Sequence, residues 1–445
     1  MPRVSEPRRT GMDVPAGSPA TTPAARPPHR WARVPPSRSY FHPRWLIEAG
    51  RSALWTDSAA DRLLTAEIKE RLKARYDAHG VILTDSGTSA LTLALSLALT
   101  AQRANRVAVP AYTCFSVATA VAGSRGDAFL YDLEPKTFSP LAESVEEVLR
   151  QGVQVVVACP LYGCPVDVPG LMEQAARYGA LVVEDAAQGA GATFAGRASG
   201  TFAPLSVVSF GRGKGLSCGG GGALLVRDSS FLRAARAVSR RLLPPNSGWK
   251  EVTRAMGEWG FGRPGLYRIP ASLPALGLGE TRYDPPTPPR AIARGAAALL
   301  RHALEDDLGT EEEDRRERAG RMRERLASVP GVELIRPVSG SVPGDLRLPF
   351  LAPGRRAAPQ LGLMPGYPST LGEIADFRAH LAVNRLPLPG AAELVRSLLT
   401  APTHPWVPED LGPQVERWLR MEGSAEGTRD EMASPDAPAR TGTYR

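Results

Sequence analysis

Between residues 80 and 226 short apolar, β-branched runs recur at Val81-Ile82-Leu83, Val107-Ala108-Val109, Ala128-Phe129-Leu130-Tyr131, 153–158, 180–183, 205–210 and 223–226. Continuous rather than alternating, most of them read as strands buried on both faces. Helix-like segments separate several of them: Ser89 to Ala101, Thr113 to Ala122, Leu141 to Arg150 and Val168 to Tyr178. Alternation of this kind predicts right-handed βαβ units and a mainly parallel sheet.

Beyond residue 245 the pattern changes to proline-rich connections, Pro244-Pro245 and Pro285 to Pro289, and to longer helical stretches. The expected organisation is a Pro/Arg-rich disordered tail over 1–40, a large domain over 41–245, a linker and small C-terminal domain over 246–423, and a second tail over 424–445. In the second region Glu311 stands four residues before Arg315 and Glu312 four before Arg316, the spacing of a solvated helix face.

The net charge of +8 suggests a nucleic-acid partner until it is located. Residues 1–40 carry seven arginines against Glu6 and Asp13, so most of the excess lies in the tail and no nucleic-acid partner is expected. That tail has nine prolines and no apolar run, unlike a signal peptide or transit helix, and a cytoplasmic location is expected. The most apolar stretch, Val81 to Leu99, is broken by polar residues from Thr84 to Ser89, so no membrane span is expected. Cys114, Cys159, Cys164 and Cys218 lack the paired spacing of a zinc site and the density of a disulfide scaffold; no metal is expected.

Candidate chemistry gathers at strand ends. Only five lysines stand against forty-nine arginines, and one of them, Lys214, lies between the strand-like 205–210 run and a glycine tract at 219–222. A lysine amine can form a Schiff base with an aldehyde; a guanidinium cannot. Ser86-Gly87-Thr88-Ser89 follows a strand and opens a helix, where free N–H groups and hydroxyls can cradle a phosphate, or where the serine is an ordinary cap. Glu184-Asp185-Ala186-Ala187-Gln188 ends another strand, so one carboxylate faces the crevice beyond the sheet or caps the next turn. A carboxylate against a pyridine nitrogen contributes about 1.5–3 kcal/mol, enough to keep the ring protonated near neutrality. Gln188 lies on the same side or is a surface residue. Phosphate cradle, acidic partner and amine are the three handles of pyridoxal 5′-phosphate.

At this point the chain resembles the DegT/DnrJ/EryC1/StrS family of sugar aminotransferases. The matching stretches are SGTSALTLAL (86–95), VPAYTCFSVATAVAGSRGDAFLYDLEP (109–135), PLYGCPVDVPGLMEQAARYGALVVEDAAQGAGATFAGRASG (160–200) and SFGRGKGLSCGGGGALLV (209–226). The resemblance implies a fold-type I PLP-dependent transferase of α/β class: a large domain with a mainly parallel seven-stranded sheet flanked by helices, plus a smaller α+β domain. It implies that Lys214 carries the cofactor as an internal aldimine, that Asp185 pairs with the ring nitrogen, and that Gln188 lies by the ring. Gly87, Thr88, Ser89 and Ser209 would bind the cofactor phosphate. The implied reaction moves an amino group from an amino acid such as glutamate to a keto sugar, nucleotide-linked, in a homodimer. A PLP-dependent sugar dehydratase and a catalytically silent, ligand-binding member are the alternatives.

Three departures stand out. Cys114, between Tyr112 and Phe115, occupies the position of the family's stacking aromatic; Gly220 replaces an acidic residue in the glycine turn; and no NYR-type segment follows residue 230.

Overall fold

The computed structural model describes residues 33–273, 281–305, 308–382 and 386–432; of the tails expected over 1–40 and 424–445, residues 1–32 and 433–445 lie outside these. All seven apolar runs are strands of one sheet: β1 (Gly80–Thr84), β2 (Arg106–Pro110), β3 (Asp127–Tyr131), β4 (Val155–Ala158), β5 (Leu181–Asp185), β8 (Leu205–Ser209) and β9 (Gly222–Val226). A small hairpin, β6 (Thr193–Phe194) and β7 (Arg197–Ala198), intervenes between β5 and β8. The strand order is β1-β9-β8-β5-β4-β2-β3.

Neighbours are parallel from β3 through β8, whereas β9 runs antiparallel to both β8 and β1. Connection chemistry explains the exception. No crossover helix lies between β8 and β9, and residues 210–221 turn back through glycines with positive φ at 213, 215, 219 and 221.

Seven helices accompany this sheet: α1 (Pro43–Leu54), α2 (Ser58–Tyr76), α3 (Gly87–Gln102), α4 (Phe115–Ser124), α5 (Ala142–Arg150), α6 (Val168–Ala176) and α7 (Leu232–Ser239). Asp57, Ser86 and Asp167 accept N–H bonds at the starts of α2, α3 and α6. Helix α3 buries ten residues in succession save one, Ser96, because it lies between α4 and the sheet. The main core, centred on Val107, Val155, Val183, Leu205 and Leu95, fills the space beside it.

Residues after 245 do not all leave this layer. Helix α8 (Trp249–Phe261) continues into α9 (Pro264–Ala271), and α10 (Arg294–Glu305) packs on α1, α2 and α8. Ala296, Leu299 and Leu300 of α10 share a core with Ile68, Leu72 and Leu225. A separate core around Leu326, Phe350, Leu399 and Leu419 gathers α11 (Leu308–Leu326) and α13 (Leu411–Met432) over an antiparallel sheet. That sheet holds β10 (Glu333–Leu334), β12 (Leu348–Leu351), β14 (Leu398–Ala401) and β13 (Met364–Pro365), in that order. Strand β11 (Ser341–Val342) pairs with β6, and α12 (Pro389–Ser397) leads into β14.

Three features differ from the sequence reading. Helix α13 runs to Met432, into the stretch assigned to a tail from 424. Residues 33–40 are not free chain: Val34 N–H donates to the Gln360 carbonyl (3.1 Å), Ser39 Oγ accepts from Gly213 N (3.4 Å), and the Pro35 carbonyl meets His404 Nε2 (2.8 Å). Proline-rich chain cannot pair as a strand, but here it lies extended against both cores and fills its polar needs individually. Finally, the Glu311 to Arg316 run pairs at its predicted spacing, Arg315 with Glu311 (2.8 Å) and Arg316 with Glu312 (3.6 Å), yet it is no solvated face. Arg315 is only 4% exposed and donates to the Gly344 carbonyl, while Arg316 donates to the Gly191 carbonyl. The charged side of α11 covers the loop after β5, and its ion pairs replace the water it excludes.

Candidate active site

A cavity of about 440 Å³ opens beyond the carboxyl ends of the strands, where the loops after β1, β2, β4, β5 and β8 converge. Its wall includes Gly87 and Thr88 after β1, Thr113 and Cys114 after β2, Asp185 and Gln188 after β5, and Ser209 and Lys214 after β8. Six of the seven sequence-predicted site residues therefore line one space. Ser89 does not. Its N–H and hydroxyl both bond Ser86 Oγ at 3.0 Å, and its side chain is buried within the helix start.

The cradle is shaped by what glycine leaves out. A Cβ on Gly87 would stand 2.8 Å from Ser209 Cβ, and one on Gly222 would meet Gly87 N at 2.6 Å. The first turn of α3, the end of β8 and the start of β9 thus approach as closely as backbone allows, leaving the opening residues of α3 and the Thr88 and Ser209 hydroxyls at the cavity. Asp85 also lines this edge, and its Oδ1 has no hydrogen-bond partner among the described residues.

The two carboxylates ending β5 part company because successive strand side chains point to opposite faces. Glu184 is fully buried and accepts from Gly200 N (2.5 Å), Phe202 N (3.1 Å), Ser206 Oγ (3.2 Å) and Ser199 Oγ (3.3 Å). Asp185 faces the cavity. One oxygen accepts from Ala187 N (3.2 Å), so it both caps the following turn and lines the site. Burial pushes its carboxyl up to about 6, against the Ala187 bond and the nearby Lys214 charge, which favour the anion. A positive group on the free oxygen would relieve that cost.

Gln188 is clamped by the loop after β4. Its Oε1 accepts from Tyr162 N (3.2 Å), and Tyr162 holds a left-handed backbone at φ 56°, uncommon for a bulky residue. Tyr112 and Phe115 are buried behind the wall, which at this point is formed by Thr113, Cys114 and Ser116. Neither aromatic beside Cys114 turns inward. Tyr112 instead accepts from Tyr367 N at 2.7 Å.

Sequence reasoning missed the opposite wall, Asn246, Lys250, Glu251 and Arg254, which comes from α8 and the turn before it. Lysine scarcity was a usable signal, since Lys250 is another of the five. The four-glycine tract has its reason here too: a Cβ on Gly219 would meet the Glu251 carbonyl at 2.5 Å, and one on Gly220 would press Glu251 Cγ at 3.0 Å. The glycine tract leaves room for α8.

Residues 52–264 match the DegT/DnrJ/EryC1/StrS aminotransferase family. Over that span the chain is similar to that family. Among curated relatives, the L-glutamine:2-deoxy-scyllo-inosose aminotransferase of Streptomyces fradiae is 31% identical over 218 residues, 47% of this chain and 51% of that one. The UDP-N-acetyl-3-dehydro-alpha-D-glucosamine 3-aminotransferase of Acidithiobacillus ferrooxidans is 33% identical over 162 residues, 36% of this chain and 43% of that one. The chain thus spans about half the length of the curated relatives it matches. The solved aminotransferase TlmJ of Streptoalloteichus hindustanus aligns with a TM-score of 0.63 at 20% identity, covering 88% of this chain and 100% of that one. At that identity the likeness speaks to the fold, which is fold-type I as the sequence implied. No helix among the described residues is long and apolar enough to cross a membrane.

Proposed function

We propose that this chain is a pyridoxal 5′-phosphate-dependent aminotransferase that moves an amino group from an amino acid, glutamate or a close analogue, to a keto sugar, nucleotide-linked. One observation carries the reading: an amine (Lys214), a half-buried carboxylate (Asp185) and a glycine-shaped anion cradle (Gly87, Thr88, Ser209) line the same cavity. The donor set fits the cofactor, with Lys214 for its aldehyde, Asp185 for its ring nitrogen, the α3 N-terminus and two hydroxyls for its phosphate, and Gln188 beside the ring. When bound, the cofactor supplies an electrophilic carbon and a ring that accepts electrons.

The protein's share is proton handling and positioning. Asp185 holds a proton on the ring nitrogen, and the same burial that makes its lone anion costly strengthens that bond. Lys214 Nζ, once free, takes the α-proton of the amino donor. In the second half-reaction it returns a proton to the acceptor carbon that gains nitrogen, so ping-pong kinetics are expected. Lys250 and Arg254 on the facing wall supply positive charge for anionic substrate groups. Relatives whose names specify a keto sugar or an inosose support the acceptor class. A homodimer in the cytoplasm and a division into large and small domains complete the reading; the separate core around Phe350 and Leu399 supports the division.

The test is the visible spectrum of the purified protein with pyridoxal phosphate, followed by borohydride reduction and peptide mapping. A pyridoxyl adduct on Lys214, absent in Lys214→Ala, is expected. Lack of any adduct on the intact protein would sink the reading in favour of a silent, ligand-binding member.

A further inference from the structure

Beside the active-site cavity lies a second one, of about 660 Å³, whose walls belong to α8, α9 and the extended segment before α1. Arg254 lines both spaces, and Arg212, two residues before Lys214, lines the second. The matched family region ends at residue 264, so most of α9 stands outside it.

The second cavity is two-sided in character. Phe261, Tyr267, Ile269 and Leu273 give it an apolar wall, and Arg38, Arg212 and Arg254 face it with Glu258 as the one carboxylate among the described residues. Arg38 is the clearest case of a cation short of partners. Its guanidinium lies 4.0 Å from the Trp406 ring centroid, and Nε and Nη1 are buried without a hydrogen bond to any described residue. Gly262, where a Cβ would come within 2.8 Å of Arg38 Nε, admits it to this position. Burial and the neighbouring Arg263 push Arg38 down to about 10, only partly offset by Glu258, whose own charge is disfavoured by burial. Buried guanidinium N–H groups left unpaired are costly, and a planar fork of donors suits the oxygens of an anion.

We propose that this cavity is a binding site for an anionic group carried on an apolar or aromatic body, with a phosphate or carboxylate seated on Arg38, Arg212 and Arg254 and the body against Phe261, Tyr267 and Leu273. Through the shared Arg254 and the Lys214 loop, it receives the end of the acceptor that does not react; this assignment to the acceptor rests on the aminotransferase reading above. Binding energy from that distant end then positions the keto group in the first cavity.

The full chain loaded with pyridoxal phosphate tests this, with the cofactor band recorded for every sample so that added anion does not simply fill the cradle at Gly87. In titration calorimetry phenyl phosphate is expected to bind about tenfold or more tighter than either inorganic phosphate or benzyl alcohol, and about tenfold weaker in R38Q and in L273E. Leu273 is half-exposed, so its replacement leaves the fold intact even if R38Q does not fold. Equal affinity for phenyl phosphate and inorganic phosphate overturns the pairing of anion with apolar body. Undiminished binding in the folded variants overturns the location. A normal cofactor band without phenyl phosphate binding removes the second site alone. If no band forms, the same titration on the unloaded chain, still sensitive to L273E, keeps the second site and removes the aminotransferase reading.

Discussion

Gln188 Nε2 donates to the Tyr367 hydroxyl at 2.9 Å, joining residues 179 positions apart, one in the wall of the active-site cavity and the other beside β13. The Tyr367 ring stacks on Tyr162 at 5.9 Å and lies 6.5 Å from Phe115. Burial pushes its hydroxyl well above the usual phenol range, so it stays protonated. In Tyr367→Phe the ring packing persists and only the hydroxyl is lost, leaving one amide N–H of Gln188 without a partner. We expect a stability loss of about 1 kcal/mol and a several-fold weaker affinity for pyridoxal phosphate, read by spectral titration. An unchanged affinity would mean that Gln188 does not depend on this clamp.

Asp185 makes stability and cofactor binding oppose each other. Its folded carboxyl titrates near 6 against 3.8 for the free side chain, so its contribution to stability is greatest below 3.8 and is lost as pH rises through about 6. Asp185→Asn is therefore expected to raise the stability of the cofactor-free protein at pH 8 by about 1–3 kcal/mol, with little gain at pH 4. The same variant should bind pyridoxal phosphate more weakly. Thermal melts at the two pH values, with and without cofactor, check both halves; destabilisation at pH 8 would refute the first.

Glu184, one residue earlier, is held differently. Burial pushes its carboxyl up as well, but four donors on residues 199–206 bond it, so Glu184→Ala leaves them unpaired in a dry interior. A loss of about 3–5 kcal/mol in urea unfolding is expected. A loss below about 1 kcal/mol would show that water replaces the carboxylate.

Gly222→Ala tests the cradle. The added methyl would meet Gly87 N at 2.6 Å and Gly87 Cα at 2.7 Å, so β9 and the start of α3 must separate. About 1–3 kcal/mol of stability should go, together with most phosphate affinity, measured as the inorganic phosphate concentration that displaces the cofactor. Gly50→Ala, at a helix position with open space around it, is the control: it should leave phosphate affinity unchanged and raise stability by about 0.4–1 kcal/mol.

The large sheet was legible because continuous β-branched runs at strand length have few other uses, and every one of the seven became a strand. The direction of β9 was not, since an apolar run carries no sign of which way it runs. Lys214, Asp185, Gln188, Gly87, Thr88 and Ser209 could be named because each sits within a few residues of a strand end, where chemistry and sequence are local. Lys250, Arg254 and Tyr367 could not, because their place depends on where α8 and β13 dock, which is decided by packing between distant segments. The charged run on α11 misled for the same reason: its i, i+4 pairs look identical whether water or the loop at 189–191 lies over them.

Residues 34–39 work as a splint. They hold Gly213, the neighbour of Lys214, through Ser39 and the close approach of Ser37, and they are fixed at the other end by Gln360, by Arg347 on the Pro36 carbonyl, and by a buried His404 that burial keeps uncharged near neutrality. Trimming the chain to residue 41 to shed its arginine-rich head would thus remove a brace from the reactive lysine as well. A protease acting after Arg38 would sever that brace without touching a residue of the active-site wall.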